Sequence, residues 1–339
     1  MLERLKKLLR INRLAAEASA VEAPVVSQSA QENGVSADAM RDILTWREAR
    51  HTAAIEKGGD AGRAQWPPVY ADPLPDMRQT IPEIEPEQLD AAMLGGAVAH
   101  HGALIIRGLL SSAQVADIRE LQNEVRLHSD RGWPFKSPWY QPYEGNSKFE
   151  WQLRNRTQRR GGNWLADSPL GMQHVLEHLQ SVGVVDAIAE HLGEEPAISL
   201  QKSTLRSVAP SKDNAGWHQD GSFLGDDVRT MNIWVSLSDC GGSTPASGLE
   251  IIPHRFESTL EIDSENGRAS LPTPLVDELL QKYSSVVPQF APGDAVMFDE
   301  KLVHRTAIGE HLSQERYALE SWFFAPSHTA PTYVPFMAR

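Results

Sequence analysis

The chain has 339 residues, 41% apolar and 23% charged, ordinary proportions for a globular fold of one large domain or two small ones. Its net charge of -13 argues against general nucleic-acid binding, and its single cysteine, Cys240, excludes an intramolecular disulfide and fits a reducing, cytoplasmic setting. No apolar run approaches the roughly 18 residues of a membrane span, and the first residues lack the unbroken apolar core of a secretion signal.

In chain order, Leu2, Leu5, Leu9, Ile11 and Leu14 recur at helical spacing among Arg4, Lys6, Lys7, Arg10 and Arg13. This predicts a basic amphipathic helix docked on its own domain or on a second subunit. Contact of residues 1–16 with an anionic membrane is the rarer alternative. AEAPVVSQSAQENGVSADAM then reads as a linker, MRDILTWREARHTAAIEKG as a short helix, and the proline-rich QWPPVYADPLPDM as irregular chain. Residues 1–79 are therefore expected to be a helical extension with linker, and residues 80–339 the compact domain. That domain opens with helix, strand and helix. ALIIRGLL is the strand, and Ser111 or Ser112 caps the second helix.

The stretch Arg126–Arg160 carries Arg126, Arg131, Lys136, Lys148, Arg154, Arg156, Arg159 and Arg160 against Asp130, Glu144 and Glu150. Trp133, Phe135, Trp139, Tyr140, Tyr143, Phe149 and Trp151 are interleaved. A long irregular segment of this composition predicts a substrate lid over residues 126–172. Its arginines would recognise an anionic small molecule, such as a carboxylate or phosphate ester. The alternative is a surface loop whose arginines pair with acidic neighbours. From residue 197 the texture changes to short β-rich runs, AISLQKSTLRSV, TMNIWVSLSD, GLEIIP, DAVMFD, LVHRTAI and RYALESWFFA, punctuated by glycine and proline. Such spacing predicts an antiparallel sandwich or barrel. No internal repeat is visible.

Within this β-rich half, AGWHQDGSFLG places His218 and Asp220 two residues apart. On extended chain these side chains fall on one side, so both can converge on one ion. Among the later histidines, His304 has the best setting. It opens a strand after a turn at Pro292–Gly293, a strand and a reversal near Asp299 to Lys301, whereas His254 reads as a turn residue. Two histidines and one carboxylate form the facial triad of non-haem Fe(II) oxygenases, which leaves positions for a chelating 2-oxo acid and O2. The far carboxylate of the 2-oxo acid needs a cation. Arg316, on an apolar strand twelve residues after His304, is the candidate because its planar fork binds carboxylate through two hydrogen bonds.

Taken in order, HHGALIIRGLLSSAQVADIREL, WHQDGSF, SGLEIIPHRF, PGDAVMFDEKLVHRT and RYALESWFF resemble the phytanoyl-CoA dioxygenase family of Fe(II)/2-oxoglutarate oxygenases, in its ectoine hydroxylase-like branch. The resemblance implies a mainly β fold with flanking helices, a double-stranded β-helix also called a jelly roll or cupin barrel. It implies iron on His218, Asp220 and His304, and 2-oxoglutarate on Arg316. It further implies that Thr306 touches the same carboxylate, that Gln201 lies near the co-substrate and that Trp234 lines its pocket. The expected reaction is hydroxylation of a small molecule with succinate and CO2 as co-products. Halogenating relatives carry a small residue where this chain has Asp220.

Three competing readings are set against this one. LHSD offers a second His-x-Asp pair, His128 and Asp130, without strand texture. HVLEH, His174 to His178, matches an inverted zinc-peptidase motif, with a solvated helix face as the bland alternative. A non-catalytic cupin would keep the barrel and lose the chemistry. Cys240 has no partner in the sequence that marks it as a nucleophile.

Overall fold

The computed structural model describes residues 36–58, 65–77, 79–130, 137–144, 148–210, 216–225, 227–263, 270–330 and 332–339. The basic segment at 1–16 lies outside them. The described helices are α1 (Ala37–Lys57), α2 (Ala91–His101), α3 (Ser112–Asp130), α4 (Lys148–Arg159), α5 (Pro169–Ser181), α6 (Val184–Leu192), α7 (Gly221–Leu224) and α8 (Thr273–Lys282). The strands are β1 (Glu83–Ile84), β2 (Ala103–Ile106), β3 (Gly162–Trp164), β4 (Ala197–Ser199), β5 (Thr204–Val208), β6 (Thr230–Ser236), β7 (Leu249–Arg255), β8 (Ala295–Phe298), β9 (Leu302–Thr306), β10 (Arg316–Phe324) and β11 (Pro335–Met337). No helix among the described residues is long and apolar enough to cross a membrane.

Local chemistry sets the helix ends. Asp90 accepts from Met93 N at 2.7 Å to cap α2, and Gly102 closes that helix at φ 86°. A Cβ on Gly102 would also lie 2.9 Å from the His254 carbonyl carbon, so both conformation and space call for glycine. Ser111 forms a capping box with Gln114. Its Oγ accepts from Gln114 N, and Gln114 Oε1 accepts from Ser111 N at 3.0 Å.

A nine-stranded mixed sheet runs β1-β2-β8-β6-β10-β4-β11, with β5 also on β10 and β3 on β5. β1 and β2 pair in parallel; the remaining ladders of this sheet are antiparallel. β7 and β9 form a separate two-stranded sheet. Period-two alternation sorts the side chains of the large sheet into two cores. Leu104, Met231, Ile233, Val235, Met297, Leu319 and Phe323 join the cluster built with α2, α3, α5 and α6. Ile105, Trp234, Val296, Phe298, Ala318, Trp322 and Phe324 point the other way and pack with Leu249, Ile251 and Leu302 of the small sheet. Fully burying side chains of this size stabilises the fold by roughly 1.5–3 kcal/mol each.

The expected jelly-roll barrel is met in part. Two sheets face each other across an apolar layer, but they do not close into one hydrogen-bonded cylinder. Pro253 has no N–H to give, and the β7–β9 register shifts between Ile251 and Arg255, where it stands. Among the described residues, only isolated bridges, His218 to His304 and Ile251 to Val286, extend the small sheet sideways.

One compact unit comprises Ile43–Arg339, so the described residues between 43 and 79 belong to it. The Arg47 guanidinium is buried and donates to Gln141 O at 2.7 Å and Ala166 O at 2.9 Å. The expected irregular lid is largely regular where it is described. Residues 126–130 end α3, α4 covers 148–159, and β3 follows. Arg154, expected to meet substrate, is 1% exposed. It donates to both oxygens of Asp167, at 2.6 and 3.0 Å, and its guanidinium lies 4.5 Å from the Trp151 ring centroid and 4.6 Å from that of Trp164. Tyr140 is buried, and Tyr143 packs edge-on against Phe336. Arg156, Arg159 and Arg160 are exposed, while Arg131, Trp133, Phe135 and Lys136 lie outside the described residues.

Candidate active site

The site is assembled where the chain passes from the large sheet to the small one. β8 ends at Phe298, and Asp299 organises the reversal by accepting from Lys301 N at 2.9 Å. β9 then presents His304. The segment carrying His218 docks beside it, with His218 N donating to His304 O at 3.1 Å and His304 N to His218 O at 3.0 Å. Between the two candidate ligands, Gln219 turns away and pins the segment. It donates to Lys301 O at 2.6 Å and accepts from Leu260 N at 2.7 Å. Gly221 follows because its N donates to Glu300 O at 2.9 Å in a space where a Cβ would meet Thr259 Oγ1 at 2.9 Å.

His218, Asp220 and His304 each bring one ligating atom within 4.8 Å of the others. They are the one set of at least three such residues to do so among the described residues. His218 Nδ1 donates to Gly216 O at 2.9 Å and His304 Nδ1 to Leu302 O at 3.2 Å. A carbonyl can only accept, so both Nδ1 atoms carry the proton and both Nε2 atoms keep a lone pair for a metal. Burial, then the nearby His218, push the His304 imidazole down to about 4, which keeps it neutral. Asp220 is buried, which alone would favour its neutral form. Lys202, His304 and His218 outweigh that effect and hold the carboxyl below its ordinary range. Lys202 Nζ lies 3.4 Å from Asp220 Oδ1, while the buried Oδ2 has no hydrogen-bond partner among the described residues. A buried carboxylate oxygen without a donor, facing two prepared imidazoles, suits a divalent cation of intermediate softness.

Arg316 lies at the start of β10 and is 1% exposed. Its Nη1 reaches the Ser247 and Gly248 carbonyls at 3.4 and 3.3 Å, its Nε has no partner, and it forms no ion pair among the described residues. Burial pushes this guanidinium down to about 10. A buried cation without a counter-charge is costly unless an anion arrives. Trp234 is brought to it, with the guanidinium 5.4 Å from the ring centroid. Thr306 lies on the same face of β9 as His304, and Ala307 N donates to the Gly248 carbonyl that Arg316 also contacts. The Gln201 amide is engaged elsewhere: its Oε1 accepts from Val334 N at 3.0 Å and its Nε2 lies 3.4 Å from Thr332 O.

A family profile for phytanoyl-CoA dioxygenase (PhyH) matches residues 98–314, well over half of the chain and all three residues of the triad. The chain belongs to the phytanoyl-CoA dioxygenase family. Two solved structures share the fold of this family member. EctD from S. alaskensis with 2-oxoglutarate and 5-hydroxyectoine is 16% identical, with a TM-score of 0.52 over 79% of this chain and 87% of that one. The same enzyme in its apoform is 18% identical, with a TM-score of 0.51 over 83% and 95%. No curated protein matches the chain.

Within this family member, the competing motifs find structural roles. His174 and His178 both turn to Asp117 Oδ2 of α3, at 3.3 and 2.7 Å, and so tie α5 to α3. His128 sits in the last turn of α3 beside Glu124, where helical geometry points it away from Asp130. Cys240 is buried against Ser236 Oγ at 3.2 Å.

Sequence reasoning missed four residues of the site. Lys202 touches Asp220, and its Nζ stands 3.6 Å from the centroid of the Phe223 ring. The Phe298 ring lies 4.9 Å from that of His304. The Tyr333 phenol is pushed up to about 12 by burial and the Asp220 charge. Glu320 shares the inner face of β10 with Arg316, a placement readable from alternation at i and i+4. No spacing rule pointed to the other three.

Proposed function

We propose that the chain is an Fe(II)- and 2-oxoglutarate-dependent dioxygenase that hydroxylates a small molecule. The observation that carries this reading is the convergence of two proton-fixed imidazoles on a buried, unpartnered carboxylate oxygen. With iron, 2-oxoglutarate and O2 bound, the centre supplies an oxidant that converts a substrate C–H to C–OH, while the second oxygen atom enters 2-oxoglutarate as it becomes succinate and CO2.

The chain's own residues hold and orient these groups. His218 and His304 would give Nε2 and Asp220 would give Oδ2 to the metal. Arg316 would hold the far carboxylate of 2-oxoglutarate through its fork, with Thr306 beside it and Trp234 walling the same place. Gln201 would act nearby, through the segment it ties down. Phe298, Trp322 and Phe324 exclude water from this face. The carboxylate of Asp220 supports hydroxylation over halogenation. The two facing sheets are read as the halves of a double-stranded β-helix, and the single buried thiol supports a cytoplasmic setting.

The test is succinate formation from 2-oxoglutarate by purified protein with Fe(II) in air. Wild type should turn over slowly without substrate, and His218→Ala, Asp220→Ala and His304→Ala should each abolish it. Turnover that survives all three changes would rule this reading out.

A further inference from the structure

The inner face of the large sheet carries charges that the iron and 2-oxoglutarate sites leave unmatched. Thr204 pairs across β10 with Glu320, and Arg206 with Ala318, so Thr204, Arg206, Ala318 and Glu320 share one face. Ala318 belongs to the cluster between the two sheets, which identifies that face as the inner one. Both His304 and Arg316 feel the charge of Glu320, which places it beside the site. Arg206 Nε is 3.2 Å from Glu320 Oε2, without the alignment of a hydrogen bond. Thr204 is 3% exposed, and its Oγ1 has no hydrogen-bond partner among the described residues.

Lys202 stands just before this strip, and its nearest counter-charge is Asp220 Oδ1 at 3.4 Å. A metal on Asp220 Oδ2 would share that single negative charge with Lys202 on Oδ1, so the carboxylate no longer balances the ammonium in full. A dianionic 2-oxoglutarate balances the two charges of Fe(II), so the surplus stays. Lys202, Arg206 and Arg316 then outnumber Asp220 and Glu320 by one positive charge. Lys202 is only partly exposed, at 19%, and an unmatched charge there is costly, so the bound substrate is the natural place for the missing anion.

We propose that Lys202, with Thr204 and Arg206, binds an anionic group of the substrate, a carboxylate or a phosphate monoester, beside the iron. The inference rests on the dioxygenase reading and deepens it. It moves recognition of the anion from the surface arginines of residues 126–172 to the inner wall. Lys202 Nζ lies 3.4 Å from the carboxylate that would hold the metal, so an anion bound to it sits beside the iron site.

The experiment uses the full chain with Fe(II), 2-oxoglutarate and O2, and a panel of small carboxylates and phosphate monoesters, each matched to its neutral amide or methyl ester. The readout is stimulation of succinate formation and the apparent KM of each compound. An anionic compound should be favoured over its neutral partner by about tenfold or more, the worth of a charge-assisted hydrogen bond. Which arm responds separates carboxylate from phosphate. Lys202→Met should collapse that ratio and Lys202→Arg should keep most of it. Arg206→Gln should lower it as well. If Lys202 only anchors Asp220, both partners suffer equally in Lys202→Met, the ratio is unchanged, and the proposal is overturned. Neutral compounds that stimulate as well as anions, or a panel in which no anion stimulates, overturn it too. In wild type, the visible charge-transfer band of Fe(II) with 2-oxoglutarate without air tests the underlying reading. A band without anion preference defeats this inference alone, whereas no band defeats the dioxygenase reading.

Discussion

At the scale of single residues, two of the buried arginines, Arg154 and Arg316, carry opposite lessons. Arg154 is matched by Asp167, whereas Arg316 has two backbone carbonyls and the Trp234 ring but no anion among the described residues. Breaking the first pair should cost stability. Asp167→Asn leaves a buried guanidinium without its charge partner, an effect of about 3–5 kcal/mol, visible as a lower urea midpoint. An unchanged midpoint would show that Tyr143 O and the flanking tryptophans suffice. Removing Arg316 should act on the co-substrate instead. Arg316→Ala should raise the KM for 2-oxoglutarate about a hundredfold or more, and Arg316→Lys should recover only part, because the fork is lost. An unchanged KM would assign the carboxylate to another cation. The triad and Arg316 were legible in the sequence because short-range alternation and motif order reflect backbone geometry. Arg154 was misread because its partner Asp167 lies thirteen residues on, and charge counting cannot tell a surface arginine from one enclosed by tryptophans.

Among the elements, the turn between β8 and β9 joins the sheets and carries the chain to His304. Glu300 in this turn is buried and accepts from Thr230 Oγ1 at 2.6 Å. Burial, then the neighbouring Asp299, push its carboxyl up to about 7. The folded chain therefore holds this proton more tightly than the unfolded one. Its contribution to stability is present below about 4.5 and is lost as pH rises through about 7. His304 acts in the opposite direction, since its lowered value makes the folded chain release a proton earlier, so the comparison must be with a variant. Glu300→Gln should flatten the fall in melting temperature across that window relative to wild type. Equal pH profiles for the two proteins would contradict the assignment. The six β-rich runs expected from the sequence all appear as strands, because Val, Ile, Trp and Phe fill both faces of a sheet buried on both sides. β3 and β11 were not legible. Each is three residues long and gains its pairing from a distant partner, β5 or β4.

For the whole molecule, the order of motifs pointed to the family, while the facing of the two sheets and the packing of residues 43–57 depended on contacts far apart in sequence. His51, whose Nδ1 contacts Pro335 O at 2.8 Å, shows the distance involved. His218, Asp220 and His304 are proposed to form an iron site open to 2-oxoglutarate. The most direct measurement is anaerobic titration of the full chain with Fe(II), in the presence and absence of 2-oxoglutarate, followed by visible absorption and bound-iron analysis. Wild type should bind about one Fe(II) per chain and give a charge-transfer band only when both are present, and Asp220→Ala should lose both signals. Iron that binds equally well to Asp220→Ala, or wild-type iron that yields no band with 2-oxoglutarate, would contradict this proposal.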